Sequence, residues 1–203
     1  MKCPERGLYV ITQPEHKSIT QVVQAVEAAL KGGAVMVQYR DKNPINAPLL
    51  AGQLLSVCRH YHVPLLINDS LELALTVGAD GVHLGQHDGE IADARRRLGP
   101  EAIIGVSCYN DLDQAVAATR VGADYIAFGR FFTSGSKPLA APAEIKTLSR
   151  AKQVLKTPVV AIGGILPENG GQLIAAGADL LAVIGGVFDN EPETAARAYQ
   201  PLF

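Results

Sequence analysis

The sequence predicts an α/β protein folded as a single-domain (β/α)8 barrel, or TIM barrel, over residues 1–203, and three observations support this fold class. Short apolar runs alternate with longer segments of helical periodicity eight times along the chain. The apolar runs are continuous, which is typical of parallel strands buried on both faces. Gly-Ala-Asp recurs at 78–80, 122–124 and 177–179, each time between a helical segment and an apolar run. Eight consecutive strand–helix units close naturally into a barrel.

Each predicted strand begins as an apolar run and ends beside a glycine or a polar residue. The second run, for example, changes from Val35-Met36-Val37 to charged residues within one strand length. In chain order, the predicted strands cover 8–12, 35–42, 64–67, 81–84, 103–106, 125–128, 159–162 and 180–184.

The predicted helices follow the strands and carry suitable end residues. Ser18 and Asp111 are good N-caps, and Pro167 suits a first helical position. Gly32-Gly33 ends the first helix. In chain order, the predicted helices cover 19–31, 48–60, 71–77, 91–98, 111–121, 143–155, 167–176 and 191–199.

An open, doubly wound sheet is the competing architecture. It would usually carry a glycine-rich fingerprint after the first strand, and Thr12-Gln13-Pro14-Glu15 is not one. The chain of 203 residues is near the low end for a barrel, so its loops should be short.

Composition and charge argue against several classes of function. The formal net charge is −2, without the basic surplus of a nucleic-acid-binding protein. No apolar stretch is long enough to span a membrane. Cys3, Cys58 and Cys108 are an odd set without CxxC spacing, so neither a disulfide framework nor a zinc site is indicated. We expect a cytoplasmic protein that acts on small molecules, and the sequence leaves a homo-oligomer open.

Polar residues gather at the carboxyl ends of the predicted strands, which meet on the face where barrel enzymes keep their active sites. Side chains alternate along the second strand, so Gln38, Arg40 and Lys42 share one face. Tyr39 and Asp41 share the other face. An amide, a guanidinium and an ammonium in a row suit a substrate with several anionic oxygens. The alternative is a frayed strand end with solvated charges.

Asp69 and Asp88 follow neighbouring predicted strands and could reach one cation. Carboxylate oxygens as the main donors favour Mg2+ over Zn2+. The alternative is that both aspartates are turn residues or helix caps, because Asn68-Asp69-Ser70 before a helix is a good capping sequence.

Two anion sites are predicted beside the metal. The first combines three cations with three neutral donors, which matches a diphosphate bound with Mg2+. Its residues are Arg40, Lys42, Lys137, Gln38, Asn68 and Ser107. The second is formed by Gly163-Gly164 and Gly185-Gly186, after the strands where many barrels hold a phosphate on backbone N–H groups. These glycines could also serve only as tight turns.

The site would therefore hold two phosphorylated compounds. No Ser-His-Asp set, Schiff-base lysine or Cys-His pair stands out for covalent catalysis. We therefore expect Mg2+-assisted departure of diphosphate, after which a second substrate captures the electrophilic carbon.

Several motifs, in the same order over nearly the whole chain, resemble those of the thiamine-phosphate synthase family. They are VQYRDK at 37–42, IND at 67–69, GADGVHLGQHD at 78–88, IGVS at 104–107, FTSGSK at 132–137 and AIGGI at 161–165. The resemblance implies a (β/α)8-barrel transferase of thiamine biosynthesis that uses Mg2+. It would join 4-amino-5-hydroxymethyl-2-methylpyrimidine diphosphate to 4-methyl-5-(2-hydroxyethyl)thiazole phosphate and release diphosphate. The family reaction is thought to pass through a pyrimidine carbocation that the thiazole nitrogen captures.

The resemblance also implies roles for individual residues. The implied contacts to the pyrimidine diphosphate are Gln38, Tyr39, Arg40, Asp41, Lys42, Asn68, Ser107 and Lys137. Those implied to be catalytic are Arg40, Lys42, Ser107 and Lys137. The implied contacts to the thiazole phosphate are Ser134, Gly135, Ser136, Gly164, Ile184 and Gly185. The implied Mg2+ ligands are Asp69 and Asp88.

Two places depart from the family pattern. The loop after the sixth strand usually reads Thr-x-Thr-Lys and here reads Ser134-Gly135-Ser136-Lys137, which keeps both hydroxyls. Gly185 stands where the family usually has serine. The loss of that hydroxyl is expected to weaken or alter thiazole-phosphate binding.

Two other functions compete with this interpretation. A thiazole tautomerase of the same barrel family would need no diphosphate site and tends to lack the paired aspartates and the full Gln-x-Arg-x-Lys run. Both features are present here and argue for the synthase. A non-catalytic barrel would bind a phosphorylated metabolite without Mg2+-dependent turnover.

Overall fold

The computed structural model describes residues 1–15, 17–85, 88–133 and 141–203, and for residues 88–90 the backbone alone. Within these residues, eight parallel strands follow one another in chain order around a closed barrel. The predicted (β/α)8 fold is therefore confirmed, and the open doubly wound sheet is excluded.

The strands and helices alternate as the sequence predicts. The strands are β1 (Gly7–Ile11), β2 (Ala34–Tyr39), β3 (Leu65–Asn68), β4 (Gly81–Leu84), β5 (Ile103–Tyr109), β6 (Tyr125–Gly129), β7 (Val159–Ile162) and β8 (Leu180–Val183). The helices are α1 (Ile19–Lys31), α2 (Ala47–His60), α3 (Leu71–Val77), α4 (Asp88–Leu98), α5 (Leu112–Val121), α6 (Ile145–Val154), α7 (Pro167–Ala175), α8 (Gly185–Phe188) and α9 (Pro192–Arg197), followed by a 3-10 turn at Gln200–Leu202. β1 pairs with β8, which closes the barrel. Among the described helices, none has the length and apolarity that a membrane crossing needs.

Three boundaries differ from the prediction in ways that matter for the site. β3 includes Asn68, which was expected just after the strand. α4 begins at Asp88, so this residue opens a helix instead of ending a loop. The short helix α8 begins at Gly185, and the sequence does not predict it because four residues are too few to show helical periodicity.

Two apolar layers follow from the alternation of side chains along the strands. Side chains that face the helices form a large outer core. Side chains that face the barrel axis form a smaller inner core, which fills the barrel as in other proteins of this fold. The buried members of the inner core are Tyr9, Ile11, Met36, Leu66, Ile103, Tyr125, Ala127, Val160, Leu180 and Ala182. Polar side chains at the next inward-facing positions, toward the carboxyl ends of the strands, therefore lie above this inner core.

The recurring Gly-Ala-Asp triplets share one structural role at the amino end of the barrel. Each glycine has a positive φ, a conformation that suits the end of a helix. Each aspartate accepts a hydrogen bond from a backbone N–H at the start of the preceding strand. The pairs are Asp80 with Leu65 (3.0 Å), Asp124 with Ile104 (2.7 Å) and Asp179 with Val159 (2.8 Å). The repeat therefore ties neighbouring strands together at the end of the barrel opposite the predicted site.

Candidate active site

A cavity of about 800 Å³ opens at the carboxyl ends of the strands. This volume lies in the upper part of the range for small-molecule sites, so the cavity has room for two small substrates. The predicted site residues that line it are Gln38, Arg40, Lys42, Asn68, Asp69, Ser107, Gly164, Ile184 and Gly185. Residues from the ends of five strands, β2, β3, β5, β7 and β8, therefore meet in one place.

Tyr39 and Asp41 do not line this cavity. Tyr39 is buried in the outer core, and its hydroxyl lies 3.4 Å from Oδ2 of Asp41. Oδ1 of Asp41 accepts a hydrogen bond from the backbone N–H of Asn43 at 2.9 Å. The alternation along β2 explains the separation, because it sends Gln38 and Arg40 to the cavity and their neighbour Tyr39 to the helices.

Five predicted residues are not placed by their side chains. Ser134, Gly135, Ser136 and Lys137 lie outside the residues that the structure describes, and the backbone alone is described for Asp88. Their contacts with substrate and metal stay predictions from the sequence.

The end of β2 is held by the neighbouring strand. Oγ1 of Thr12 accepts a hydrogen bond from the Arg40 N–H at 2.9 Å and donates one to the Arg40 carbonyl at 3.1 Å. Thr12 is buried, so water does not compete strongly for these bonds. This reciprocal pair fixes the backbone where β2 ends and keeps the charges of Arg40 and Lys42 at the cavity.

Asp69 stands in an uncommon backbone conformation at the cavity wall. Its φ is 60°, in the left-handed region that aspartate and asparagine enter more readily than most residues. Nδ2 of Asn68 donates a hydrogen bond to its Oδ2 at 2.7 Å, and its backbone N–H donates to the carbonyl of His83 at 2.8 Å. Residues held in such conformations cluster at functional sites. Carboxylate oxygens are the donors that Mg2+ prefers, so Asp69 fits a site for this cation.

The described residues supply only part of a metal site. Outside the undescribed segments, no group of three or more His, Cys, Asp and Glu side chains could hold a metal ion. The Asp69 carboxylate would therefore need ligands from the substrate or from Asp88.

Glycines form the cavity wall at β7 and β8. Gly163 and Gly164 have φ values of 108° and 62°, and an added Cβ would overlap Cβ of Arg130 or the carbonyl oxygen of Thr133. Only glycine fits there, and it leaves the backbone open to the cavity. Gly185 begins α8, whose first N–H groups have no acceptor within the helix and suit an anion. Arg130, directly after β6, lines the same cavity and adds a cation.

A chain of hydrogen bonds crosses the floor of the cavity, where the inner core ends. Nε2 of Gln38 donates to Oη of Tyr9 at 2.6 Å, and this oxygen lies 2.9 Å from Oη of Tyr125. Nδ1 of His83 lies 2.8 Å from Oη of Tyr125, and Nε2 of the same ring lies 2.8 Å from Oγ of Ser107. The chain therefore links Gln38 to Ser107, two of the predicted substrate contacts.

The two phenols of this chain stay neutral. Tyr9 is 1% exposed and Tyr125 is fully buried. Burial raises the pKa of each hydroxyl well above the usual value for tyrosine, because a phenolate there would lose its hydration. Each oxygen therefore offers one proton to donate and lone pairs to accept.

Four residues of the site, Tyr9, His83, Tyr125 and Arg130, are not predicted from the sequence. The two tyrosines stand in apolar runs, and only closure of the barrel brings β1 beside β6 across the axis. His83 could have been predicted, because a polar side chain in the middle of a buried strand needs a hydrogen-bonding partner. Arg130 could also have been predicted, since it is a cation directly after a strand, the same pattern that predicts a site at the end of β2.

The chain is similar in sequence to proteins named thiamine-phosphate synthase. Residues 8–187 match the family model described as thiamine monophosphate synthase. The chain is 49% identical over 201 residues to the thiamine-phosphate synthase of Aromatoleum aromaticum, covering 98% of this chain and 96% of that protein. It is 50% identical over 202 residues to the thiamine-phosphate synthase of Marinobacter nauticus, covering 97% of this chain and 90% of that protein.

Solved structures show the same similarity. Thiamine phosphate pyrophosphorylase from Pyrococcus furiosus superposes with a TM-score of 0.86 at 33% identity, covering 98% of this chain and 95% of that one. The geranylgeranylglyceryl phosphate synthase of Thermoplasma acidophilum superposes with a TM-score of 0.73 at 18% identity, covering 97% of this chain and 92% of that one. At that identity, the second likeness shows the fold alone.

Proposed function

Since the chain belongs to the thiamine monophosphate synthase family of transferases and makes thiamine phosphate, we propose that its cavity binds the pyrimidine diphosphate and the thiazole phosphate together and joins them there. One observation carries the proposal. A cationic wall, a carboxylate and a glycine wall converge in one cavity of about 800 Å³.

The diphosphate binds at the ends of β2 and β3. Arg40 and Lys42 bring two cations to this wall, and Asn68 adds a neutral donor beside them. Arg and Lys are the residues that commonly hold phosphate oxygens. Lys137, which the sequence predicts for the same group of substrate oxygens, would supply a third cation.

Asp69 and Asp88 are the residues that would hold Mg2+ at the same end, beside the diphosphate. Protein sites for this cation are commonly built from one or two carboxylates plus substrate phosphates. Among the carboxylates that line the cavity, Asp69 is the one beside the proposed diphosphate wall of β2 and β3, while Glu15 follows β1 and Asp189 follows β8. Bound there, Mg2+ supplies positive charge against the leaving diphosphate.

The reaction replaces one carbon–oxygen bond with one carbon–nitrogen bond. Diphosphate leaves with the electron pair of the C–O bond, and the lone pair of the thiazole nitrogen forms the C–N bond to the resulting pyrimidine cation. Arg40 and Lys42 stabilise the charge that develops on the leaving oxygen. The other contribution of the protein is to hold the two rings in reacting order.

The thiazole phosphate binds at the ends of β7 and β8. Gly164 and Gly185 leave backbone N–H groups at the cavity, and Arg130 adds a charge to this wall. The pyrimidine ring then lies between the two anion sites, against Gln38 and Ser107 on the cavity floor.

The test is incubation of the purified chain with both substrates and Mg2+. Thiamine phosphate and diphosphate should form in equal amounts, and removal of either substrate or of Mg2+ should stop the reaction. Isomerisation of the thiazole precursor alone would indicate the tautomerase. Tight binding of either phosphorylated compound without product would indicate a non-catalytic barrel.

A further inference from the structure

The chain of hydrogen bonds on the cavity floor contains three residues to which the proposed reaction assigns no task. We propose that Tyr9, Tyr125 and His83 are positioning residues that fix the direction of this chain, so that Ser107 presents its proton to the pyrimidine ring and Gln38 presents its carbonyl oxygen. This inference rests on the proposed function for the identity of the ring, and on the described contacts for the direction.

The direction of the chain is set at Gln38. Its Nε2 can only donate, so Oη of Tyr9 is the acceptor of that bond. The proton of Tyr9 then has Oη of Tyr125 as its partner, at 2.9 Å. The opposite direction would leave the Tyr9 proton in a buried place without an acceptor, which is unfavourable.

The direction of the next two hydrogen bonds follows from Tyr125. Its oxygen accepts from Tyr9, so its own proton is donated to Nδ1 of His83. An Nδ1 that accepts carries no proton, and the neutral ring therefore holds its proton on Nε2. That proton is donated to Oγ of Ser107.

The consequence appears at the cavity surface. A serine hydroxyl alone can donate or accept toward a ligand. Because Oγ of Ser107 already accepts from His83, its proton is directed elsewhere, and Ser107 lines the cavity. At the other end, the amide of Gln38 is oriented with its nitrogen toward Tyr9, which makes its carbonyl oxygen the acceptor for a ligand.

This pattern discriminates between related rings. A 4-aminopyrimidine carries an acceptor nitrogen beside an amino donor, which complements a donor at Ser107 and an acceptor at Gln38. The corresponding 4-oxo ring in its lactam form reverses both groups and would leave buried polar atoms unpaired. Sites of this kind reject the mismatched ring strongly.

Packing around Tyr125 holds the chain in this arrangement. The ring of His83 stacks on that of Tyr125 with centroids 5.6 Å apart, and the ring of Tyr9 meets it edge-on at 5.8 Å. An added Cβ at Gly105 would overlap the Tyr125 ring, so only glycine at this position leaves room for the phenol. The phenol therefore has little freedom to turn its hydroxyl away.

The first test reads the protonation of His83 without any ligand, by nitrogen NMR of histidine-labelled protein. The proton should be on Nε2 in the wild type and in Tyr199→Phe. Tyr199 is a matched control because it is also fully buried, and its hydroxyl donates to the backbone carbonyl of Ile165, which is not part of this chain of hydrogen bonds. In Tyr125→Phe the preference for Nε2–H should fall. A wild-type ring protonated on Nδ1 would overturn the inference.

The second test measures whether Tyr125 acts through Ser107. Tyr125→Phe should raise KM for the pyrimidine diphosphate about tenfold, which corresponds to about 1.4 kcal/mol. KM for the thiazole phosphate should stay within about twofold, and the loss of stability should match that of Tyr199→Phe. The double variant with Ser107→Ala should be no worse than Ser107→Ala alone. Independent, additive losses would show that Tyr125 is merely structural.

The 4-oxo analogue of the pyrimidine diphosphate completes the experiment. The wild type should use it at least about 100-fold less efficiently than the amino compound, and Tyr125→Phe should narrow that ratio. An unchanged ratio in the variant would contradict the inference. Failure of the wild type to make thiamine phosphate would instead contradict the proposed function, while the NMR result would still decide the direction of the chain.

Discussion

The two ends of the barrel use the same residue type for opposite purposes. At the amino end, Asp80, Asp124 and Asp179 each accept a hydrogen bond from a strand backbone and are used entirely within the fold. At the carboxyl end, Asp69 lines the cavity in a left-handed conformation, and its carboxylate is oriented by a neighbouring side chain. Among these four aspartates, the three that precede a strand stabilise the barrel, whereas Asp69, which follows a strand, lines the predicted site.

The largest expected effect is at the carboxyl end. Asp69→Asn removes one charge but keeps a residue that tolerates the left-handed conformation. Turnover should fall at least about 100-fold, equivalent to about 2.7 kcal/mol, because Mg2+ loses a ligand. The free energy of unfolding should change by less than about 0.5 kcal/mol.

Asp111→Asn is the matched control for this variant. Asp111 also follows a strand, but its side chain caps α5 by accepting from the N–H of Gln114 at 2.9 Å, a role that asparagine can fill. Its steady-state rate should equal that of the wild type. A near-normal rate in Asp69→Asn would remove Asp69 from the metal site.

The next effect is at the amino end and concerns stability. Oδ2 of Asp124 accepts from the N–H of Ile104 and from Arg95, whose guanidinium also binds several carbonyl oxygens nearby. Asp124→Ala should lower the free energy of unfolding by about 2 kcal/mol, because a strand N–H loses its acceptor. Denaturant unfolding measures this change, and kcat should stay within about twofold at temperatures where the variant is folded.

Asp113→Ala controls for the loss of an acidic residue that binds no strand N–H, at the other end of α5. Asp113 is exposed in the first turn of α5. Its replacement should lower the free energy of unfolding by less than about 0.5 kcal/mol, because only a favourable interaction with the helix dipole is lost. If Asp124→Ala instead lost turnover while keeping its stability, the assignment of stability to the amino end and of activity to the carboxyl end would be wrong.

A smaller effect is expected at the other two triplets. Asp80 and Asp179 each bind one strand N–H. Each also has a partly exposed and therefore weak ion pair, Asp80 with the N-terminal ammonium of Met1 and Asp179 with Lys152. Either alanine variant should lower the free energy of unfolding by about 1 kcal/mol. The double variant should lower it by about twice as much, because the effects of distant substitutions are additive. Strong coupling between the two changes in denaturant unfolding would mean that the triplets act as one unit.

How much the sequence reveals also differs between the two ends. The triplet repeat is visible as a pattern, and the alternation Gln38, Arg40, Lys42 places the cationic wall from one strand alone. The floor is not predictable in this way, because Tyr9 and Tyr125 are 116 residues apart and meet only when the barrel closes. A contact between strand interiors depends on register, and register leaves no local trace in continuously apolar strands.

The smallest effect is expected where the chain departs from its family. Gly185 has no positive φ, and an added Cβ would overlap only the carboxylate end of Asp189, which is exposed and can rotate away. Gly185→Ser should therefore fold normally and lower KM for the thiazole phosphate about threefold, because one hydroxyl joins the phosphate site.

Gly164→Ser is the contrasting variant on the same wall. Its φ of 62° is unfavourable for serine, and the added Cβ would overlap the backbone carbonyl of Thr133, which cannot rotate away. This variant should lose stability and raise KM for the thiazole phosphate at least about tenfold, since the backbone that faces the phosphate must shift. If Gly185→Ser raised KM as Gly164→Ser does, the Asp189 carboxylate would be fixed in place, and the serine that the family usually carries would be incompatible with this chain.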